Sequence, residues 1–427
     1  MKTLLIKNGR VIDPANKRDE VADLWIGDGA ILEGAPEGVS TPDESIDAQG
    51  LIVAPGLIDS HVHFREPGQS HKETMLTGAK AAAAGGFTSV VCMPNTNPSA
   101  DSAGTLTLLH EKAKGACVNI FVTGAITKGL KGEELAPYGA MVKAGIVAIT
   151  DDGHCIQNHE VMRRAVEYAR MFNLTVLDHC QDYSLVGGGI MHEGEWSLRL
   201  GLPGWPRIGE EIIVGRNILL AELCDSPIHC QHISSGGSIR LLREARARGV
   251  KISGEVCPHH IALTDDCLQA FDSNYKMNPP LRTARDIEAI IEGIADGTID
   301  VLCSDHAPHA FYEKEVELDR APFGITGLET EFSLFSDILI HEKKVISWSR
   351  LIEMYTINPS RLLSLNKGTL STGVAADVTL IDPDLEWTYD RDASFSLSRN
   401  TPFHGRKTKG RAVRTIVGGQ TVWQVAQ

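Results

Sequence analysis

Histidine and aspartate side chains stand at the ends of several short apolar runs in this sequence. His61 and His63 are separated by one residue within such a run. Side chains at positions i and i+2 of a strand lie on the same face, so these two imidazoles could bind one metal ion at the ~2.0–2.1 Å of zinc–nitrogen bonds. Arg65 continues the alternation and should lie on that face as well. The spacing predicts a metal-binding strand that also presents a cation.

Further ligand-type residues follow other apolar runs: Asp152, His179, His232 and Asp305. Strand alternation distinguishes Asp152 from its neighbour Asp151, because apolar Val147 and Ile149 share a face with Asp151 and should pack against outer helices. Asp152 should therefore point the other way, toward the site. One such residue alone is more often a helix cap or a buried structural group. Four histidines and two aspartates at the same end of different strands indicate a metal centre.

The other histidines lack this placement. We interpret six of them as surface or supporting residues: His110, His154, His159, His192, His341 and His404. His259 and His260 follow the seventh apolar run, but Pro258 before them indicates a turn. They are left as supporting residues without an assigned role.

These positions require parallel strands whose ends meet at one edge. Eight short apolar segments alternate with helical patterns in the middle of the chain, at 57–62, 88–93, 118–124, 146–150, 174–178, 227–231, 251–256 and 300–304. Ser70 with Glu73 predicts a capping box before an Ala-rich helix, and Asn158 and Ser238 predict further N-caps. The alternation predicts an α/β fold, a (β/α)8 TIM barrel with its site at the carboxyl ends of the strands. The rival doubly wound sheet would want a Gly-rich phosphate turn after the first strand, and none is present.

Both ends of the chain look like antiparallel sheet. Asn8-Gly9, Asp28-Gly29 and Gly418-Gly419 each lie between strand-like segments, which is typical of two-residue hairpin turns. The simplest arrangement is a small β-sandwich domain formed by both termini, with the barrel inserted between them. The predicted boundaries are 1–54 and 366–427 for the composite β domain and 55–365 for the catalytic barrel.

Composition narrows the range of partners. The 427 residues carry a net charge of −14, with 42% hydrophobic and 22% charged residues. These values exclude wholesale disorder and argue against nucleic-acid and anionic-membrane partners, which both require a basic surface. No apolar run is long enough to span a bilayer, and nine cysteines without a Cys-x-x-Cys pair are typical of a reducing compartment. We expect a cytoplasmic protein, in which a local arginine could still bind a small anion.

On these residues the sequence resembles the amidohydrolase superfamily and, within it, the bacterial type I dihydroorotases. The resemblance runs essentially over the full length. The His-x-His pattern alone marks only the superfamily, whereas two continuations are much more specific: Phe64-Arg65-Glu66-Pro67-Gly68 and Asp305-His306-Ala307-Pro308-His309. Other shared motifs are Met93-Pro94-Asn95, Asp151-Asp152-Gly153, Met277-Asn278 and Pro322-Phe323-Gly324.

The resemblance implies a zinc centre with one or two ions per chain, two being favoured. The ligands of the first ion would be His61, His63 and Asp305. His179 and His232 would bind the second ion, and Asp152 would bridge the two. Many relatives bridge with a carboxylated lysine instead, so the aspartate argues against a hydantoinase or a dihydropyrimidinase.

The resemblance also implies a substrate site. Arg65, Asn95 and His309 match positions that bind the substrate carboxylate, with His63 beside them. Asn278 and the backbone of Phe323 and Gly324 match contacts to the pyrimidine ring. The implied reaction is the zinc-dependent, reversible cyclisation of N-carbamoyl-L-aspartate to (S)-dihydroorotate and water, in de novo pyrimidine (UMP) biosynthesis. Asp305 would be the general base, because it would touch the metal and the water together.

Two alternatives stay open at this point. Another cyclic-amide hydrolase, such as a hydantoinase or allantoinase, would lack the Arg65 and His309 carboxylate contacts. A non-catalytic dihydroorotase-like subunit that supports aspartate carbamoyltransferase would have lost metal ligands, and none of the six is missing. The resemblance makes a homodimer and an association with aspartate carbamoyltransferase plausible partners. The charge-rich segment 310–320 is either a mobile lid or a solvated loop.

Overall fold

A computed structural model describes residues 1–426. These residues form eighteen strands and fourteen α-helices. The strands are β1 (Thr3–Asp13), β2 (Arg18–Gly27), β3 (Ala30–Ile31), β4 (Glu44–Asp47), β5 (Ile52–Pro55), β6 (Leu57–Val62), β7 (Phe87–Cys92), β8 (Asn119–Val122), β9 (Ala148–Ile149), β10 (Thr175–Asp178), β11 (Met191–His192), β12 (Gly204–Trp205), β13 (Ile228–Cys230), β14 (Ile252–Val256), β15 (Val301–Leu302), β16 (Val378–Thr388), β17 (Lys407–Val417) and β18 (Gln420–Gln424).

The helices lie mostly between the barrel strands. They are α1 (Met75–Gly85), α2 (Ala103–Ala113), α3 (Tyr138–Lys143), α4 (His159–Arg170), α5 (Tyr183–Val186), α6 (Glu195–Leu200), α7 (Ile208–Cys224), α8 (Gly236–Ala247), α9 (His259–Ala262), α10 (Ala284–Ala295), α11 (Phe311–Lys314), α12 (Glu331–Phe335), α13 (Trp348–Tyr355) and α14 (Ile357–Leu362). A π-helical segment, Ser336–Glu342, continues α12. No helix within residues 1–426 combines the length and the apolar character needed to cross a bilayer.

Eight parallel strands close into the predicted barrel. One sheet has the order β6–β7–β8 and another the order β9–β10–β13–β14–β15. Parallel bridges from Gly124 to Ile149 and from Val62 to His306 join these two sheets at both edges. Every barrel strand begins and ends within two residues of its predicted segment. The TIM-barrel prediction is confirmed, and closure places all eight carboxyl ends around one opening.

Amphipathic helices cover the barrel because one face of each is apolar. In α4, the residues Met162, Ala165, Val166 and Ala169 are buried, as their helical spacing requires. The predicted cap Asn158 accepts hydrogen bonds from two backbone N–H groups of the first turn. The barrel strands and these helical faces share one large apolar core.

Two predicted helix starts are wrong. Helix α1 begins after Thr74, which forms a capping box with Thr77, rather than at Ser70. The Glu73 carboxylate instead accepts the Leu397 N–H at 3.1 Å. Helix α8 begins after Ser235, and the predicted cap Ser238 lies in its first turn. Ser238 Oγ donates to Glu210 Oε1 at 2.6 Å. Glu73 and Ser238, both predicted to form local caps, thus contact residues far away in the sequence.

The predicted β domain from both termini is confirmed. Its single hydrogen-bonded sheet has the order β18–β17–β16–β5–β1–β2–β3, with β4 paired to β1, and it encloses an apolar core of its own. The turns at Asp28-Gly29 and Gly418-Gly419 join neighbouring strands as expected. The chain divisions at 54/55 and 365/366 stay a prediction.

The hairpin expected at Asn8-Gly9 is wrong. Strand β1 runs straight through these residues, and its register with β2 shifts between Ile6 and Gly9, which marks a bulge. Asn8 has φ of +63°. A Cβ at Gly9 would lie 2.4 Å from the Val53 side chain, so the glycine is required by the close approach of β5 rather than by a turn.

Candidate metal centre and substrate cavity

The six predicted metal ligands converge at the carboxyl end of the barrel. All of them are at most 8% exposed. They lie at or just beyond the ends of β6, β9, β10, β13 and β15, and they are His61, His63, Asp152, His179, His232 and Asp305. Their convergence follows from the short strands, because each polar residue comes within three residues of the last hydrogen-bonded position.

One half of the cluster contains His61, His63 and both aspartates. Asp152 Oδ2 lies 3.3 Å from His61 Nε2 and 3.2 Å from His63 Nε2. Asp305 Oδ1 lies 3.1 Å from His63 Nε2 and 3.6 Å from His61 Nε2. Tetrahedral zinc ligands at ~2.0–2.1 Å from the metal stand about 3.3 Å from one another. These four side chains therefore have the separations of a zinc-binding set.

The other half uses the second oxygen of the same carboxylate. Asp152 Oδ1 lies 3.5 Å from His179 Nδ1 and 3.4 Å from His232 Nε2, and the two nitrogens are 2.8 Å apart. Among the described residues, Asp152 Oδ1 and His61 Nε2 are buried without a hydrogen-bond partner. Buried polar atoms are normally satisfied, so these atoms fit a metal ion that supplies the missing partner.

In three of the imidazoles, the outer ring nitrogen, which is the one not facing the aspartates, contacts an oxygen acceptor. The pairs are His61 Nδ1 with Glu255 Oε1 at 2.7 Å, His63 Nδ1 with Asn95 Oδ1 at 2.8 Å, and His179 Nε2 with Gln181 Oε1 at 2.8 Å. An imidazole that donates through its outer N–H keeps the lone pair of its inner nitrogen for a metal. The surrounding residues thus select the tautomer that metal binding needs.

The carboxylates and the imidazoles of the cluster stabilise each other's charged forms. Burial alone would raise the pKa of Asp152, but the facing imidazoles, His61 first, hold that pKa well below its usual range. Burial alone would lower the pKa of His61, and the carboxylates of Asp152 and Asp305 raise it well above 6.5. The carboxylates are therefore ionised at neutral pH, which is the form that binds a cation.

Three residues of this site have left-handed backbone conformations. The φ angles are +57° at Arg65, +34° at His232 and +47° at Asp305. A residue other than glycine in this region costs about 1–3 kcal/mol and persists only where the surrounding structure requires it. The barrel therefore holds two of the ligands and the adjacent arginine in conformations that an isolated chain would avoid.

A cavity of about 320 Å³ opens beside the ligand cluster. Every residue predicted to bind substrate borders it. The lining comprises His63, Arg65, Asn95, Asp152, Gly153, His179, His232, Asn278, Asp305, Ala307, His309, Pro322, Phe323 and Gly324. The barrel thus brings five of the six predicted metal ligands and all the predicted substrate contacts to the border of one cavity.

Arg65 presents a cation to this cavity. Its Nε donates to the Pro308 carbonyl at 3.1 Å, and Nη2 lies 3.4 Å from His309 Nε2. Within residues 1–426, no carboxylate lies within 4.0 Å of the guanidinium. Burial lowers the pKa of Arg65 only to about 10, so the group stays charged. The carboxylates of Asp305, Asp152 and Glu313 partly offset the effect of burial on its pKa, but none of them pairs with the guanidinium directly, so it can still bind a carboxylate ligand.

Neutral polar groups complete the cavity wall. Burial, followed by the charge of Arg65, lowers the pKa of His309 to about 2, so this imidazole is neutral and can donate to the Phe323 carbonyl at 2.8 Å. Asn278 Nδ2 donates to Gln181 Oε1 at 3.1 Å. Its Oδ1 is buried and unpartnered in the part of the chain that the structure describes, which leaves an acceptor for a ligand N–H.

Sequence comparisons agree with this chemistry. Residues 50–238 match the family described as "Dihydro-orotase-like". The chain is 48% identical over 424 residues to a protein named "Dihydroorotase" from Geobacter metallireducens, with 99% of both chains covered. It is 49% identical over 421 residues to one from Pelotomaculum thermopropionicum, covering 99% of this chain and 98% of that protein. The chain belongs to the dihydroorotase family.

Solved structures resemble this dihydroorotase-family chain in fold. An L-hydantoinase (dihydropyrimidinase) from Arthrobacter aurescens superposes with a TM-score of 0.89 at 23% identity, covering 100% of this chain and 97% of that one. A dihydropyrimidinase from Brevibacillus agri gives 0.86 at 22% identity, covering 99% and 95%. At these identities the likeness concerns the TIM barrel and its attached β domain.

Sequence reasoning missed Glu255, a residue that this dihydroorotase-family site depends on. Its second oxygen accepts from Ser60 Oγ at 2.8 Å and lies 3.2 Å from His229 Nε2. Glu255 is a charged residue inside the buried strand β14, and this was the sequence signal that could have identified it. His259 and His260, left without a role, are buried at the start of α9, and both ring nitrogens of His259 lack partners within residues 1–426.

Replacing Glu255 should weaken metal binding in the dihydroorotase-family site. In Glu255→Gln the amide oxygen can still accept from the His61 N–H but without a negative charge, and we expect metal affinity to fall about 10–100-fold. Competition with a chelator of known affinity measures this, with zinc per chain as the readout. Glu244→Gln, which changes an exposed glutamate of α8, is the matched control. Equal affinities for Glu255→Gln and the unmodified protein would contradict the role given to Glu255.

Proposed function

We propose that this protein is a dihydroorotase, which interconverts N-carbamoyl-L-aspartate and (S)-dihydroorotate with release or uptake of water, in the synthesis of pyrimidines. The observation that carries the proposal is the guanidinium of Arg65, without a carboxylate partner, in the cavity that five of the six ligand residues border. Identity near 50% over the whole chain to proteins named dihydroorotase supports it.

We propose zinc as the cofactor, with two ions per chain. His61, His63, Asp152 and Asp305 would hold one ion, and Asp152 would share its other oxygen with His179 and His232. Bound zinc supplies Lewis-acid polarisation of a carbonyl and lowers the pKa of water toward ~7. The separations near 3.3 Å and the unpartnered buried atoms support this donor set.

The cavity residues would bind and orient the substrate. The Arg65 fork can hold a carboxylate through two parallel hydrogen bonds. Asn95 directs Oδ1 to His63, and its amide nitrogen lies next to Gly153, where a Cβ would come within 2.7 Å of it. That nitrogen is a second donor for the carboxylate. The Asn278 Oδ1 acceptor would take an N–H of the pyrimidine ring.

Asp305 would transfer the proton. It borders the cavity, and the imidazoles of His61 and His63 overcome the effect of burial and lower its pKa, so it is ionised before reaction. In hydrolysis, Asp305 accepts a proton from the attacking water and returns it to the ring nitrogen as the carbon–nitrogen bond breaks. In cyclisation, the same carboxylate takes the proton from the carbamoyl nitrogen and delivers it to the departing oxygen.

Arg65 also separates this reading from the two alternatives. A hydantoinase or allantoinase substrate offers no carboxylate at this place. In such an enzyme the buried guanidinium would cost free energy, and no ligand charge would offset that cost. A non-catalytic subunit would not require six ligand side chains held near metal-binding separations, with two of them and the adjacent Arg65 in strained backbone conformations.

The proposed activity has a direct test. Purified protein should convert dihydroorotate to N-carbamoyl-L-aspartate and the reverse, and chelation should remove zinc and activity in parallel, with both restored on adding zinc. Asp305→Asn should reduce turnover at least about 10³-fold, because both the proton acceptor and a ligand charge are lost, while circular dichroism shows an intact fold. A protein that hydrolyses hydantoin but not dihydroorotate would contradict the proposal, as would substantial activity in Asp305→Asn.

Arg65 should control substrate affinity. Arg65→Met removes a charge-assisted contact of about 1.5–3 kcal/mol, and we expect KM for dihydroorotate to rise about 10–100-fold with zinc content unchanged. Steady-state kinetics and metal analysis on the same preparation measure both. Arg285→Met, at an exposed arginine, is the control. Loss of zinc with the Arg65 variant would show a structural role instead.

We also propose a homodimer that uses one face of α7. Its exposed residues repeat at helical spacing and form an aliphatic stripe of Ile208, Ile212, Leu219 and Leu223, the last two about two-thirds exposed. Soluble proteins rarely leave such a stripe uncovered, and a two-fold axis would pair it with its own copy. Association with aspartate carbamoyltransferase stays a prediction from the resemblance.

Charges on this stripe should separate the subunits. The double variant Leu219→Glu/Leu223→Glu should sediment as a monomer under conditions in which the unmodified protein is a dimer, because two glutamates per subunit would be buried against each other. Leu198→Glu, at a leucine 84% exposed on α6, should stay dimeric. An unmodified protein that is monomeric, or a double variant that stays dimeric, would contradict the assignment of this face.

A further inference from the structure

A buried lysine lies behind the cavity wall without a carboxylate partner. Lys314 ends helix α11 and is 5% exposed. Its Nζ donates to the backbone oxygens of Pro322 at 2.9 Å, Gly324 at 3.1 Å and Lys276 at 3.4 Å. Within residues 1–426 no carboxylate oxygen lies within 4.0 Å of this ammonium. An unpaired charge is expensive to bury, and burial, with Lys276 nearby, lowers the pKa of Lys314 to about 7.

A second lysine bonds to the segment that precedes the cavity wall. Lys276 Nζ donates to the carbonyls of Leu318 at 2.7 Å and Asp319 at 3.1 Å, and it stands 4.7 Å from the centre of the Phe323 ring. The backbone oxygen of Lys276 accepts from the Gly324 N–H at 3.0 Å. The charge-rich segment 310–320 is therefore fastened to the cavity wall by two ammonium groups.

These bonds occupy almost every backbone group at the wall. Gly324 donates to Lys276, and its carbonyl accepts from Lys314 and from Asn400 Nδ2. The Phe323 carbonyl accepts from His309. Within residues 1–426, the Phe323 N–H makes no hydrogen bond. It is the only backbone donor left at Phe323 and Gly324 for a ligand in the cavity that both residues border.

The wall also has little room to move. Gly324 has φ of +125°, and a Cβ there would lie 2.7 Å from the Ala307 side chain. Its backbone therefore packs directly against the residue next to His306 in the strand-end motif. Three backbone carbonyls that accept hydrogen bonds from the Lys314 Nζ keep their orientation, because such bonds are stronger in a buried setting than in water.

We propose that Lys314 is a positioning residue of the substrate site. Its ammonium holds the Pro322 and Gly324 carbonyls, so that the intervening Phe323 N–H faces the ring of the substrate while the Phe323 carbonyl keeps His309 in place. Lys314 touches neither the substrate nor the metal ligands. The inference rests on the proposed dihydroorotase function, since that function supplies the cyclic substrate.

The test compares three variants of the holoenzyme. Lys314→Met removes the amino group and keeps a side chain of similar length. Because displaced binding groups weaken substrate positioning, we expect KM for dihydroorotate to rise about tenfold or more. The variant should change kcat less than about threefold and leave zinc per chain unchanged. Lys314→Arg keeps a cation and should recover most of the lost affinity. Lys80→Met makes the same change at an exposed lysine of α1 and should leave KM unaltered.

Each outcome has one meaning. An unchanged KM in Lys314→Met, a fall in kcat alone, or loss of zinc would overturn the positioning role. If Lys314→Met does not fold, Lys314→Gln, which keeps a neutral donor, is measured instead. Failure of both to fold would mark Lys314 as a folding residue and overturn the proposal. Absence of dihydroorotase activity in the unmodified enzyme would refute the proposed function itself, which is a separate result.

Discussion

The site depends on one short carboxylate that faces two pairs of imidazoles. Asp152 has only one methylene between its backbone and its carboxyl group, yet its two oxygens reach four histidines from three other strand ends at 3.2–3.5 Å. Such distances are attainable only if the barrel closes tightly around this position. The same close convergence of strand ends is accompanied by left-handed backbone conformations at His232 and Asp305.

Around this centre, the protein combines a fixed charge pattern with oxygen acceptors that orient the imidazoles. Oxygen acceptors from Glu255, Asn95 and Gln181 hold the imidazoles, and two of these residues also shape the substrate cavity: Asn95 borders it directly, and Gln181 orients Asn278. The candidate metal ligands and the candidate substrate cavity therefore share supporting side chains. In a protein with a net charge of −14, the proposed anion site depends on positive charge that is local to this cavity rather than spread over the surface.

Strand positions and the choice between adjacent aspartates could be predicted because they depend on local periodicity. Alternation along β9 identified Asp152, and all eight barrel strands were located within two residues. The predictions of local structure were wrong where a long-range contact determines the conformation. Glu73 bonds to the chain near Leu397 instead of capping a helix, and Gly9 makes room for Val53 instead of forming a turn. Glu255 stood out only as a charge inside a buried strand, and its role depends on a partner across the barrel, His61.

The pairing of β5 with β16 has a consequence for synthesis of the chain. These two strands are hydrogen-bonded neighbours in the terminal sheet, but more than three hundred residues separate them. A chain made from its N-terminus presents β5 with an open edge while the whole barrel is translated. Open edges favour pairing with other chains, so the nascent protein stays exposed to misassembly until β16 emerges from the ribosome and covers that edge.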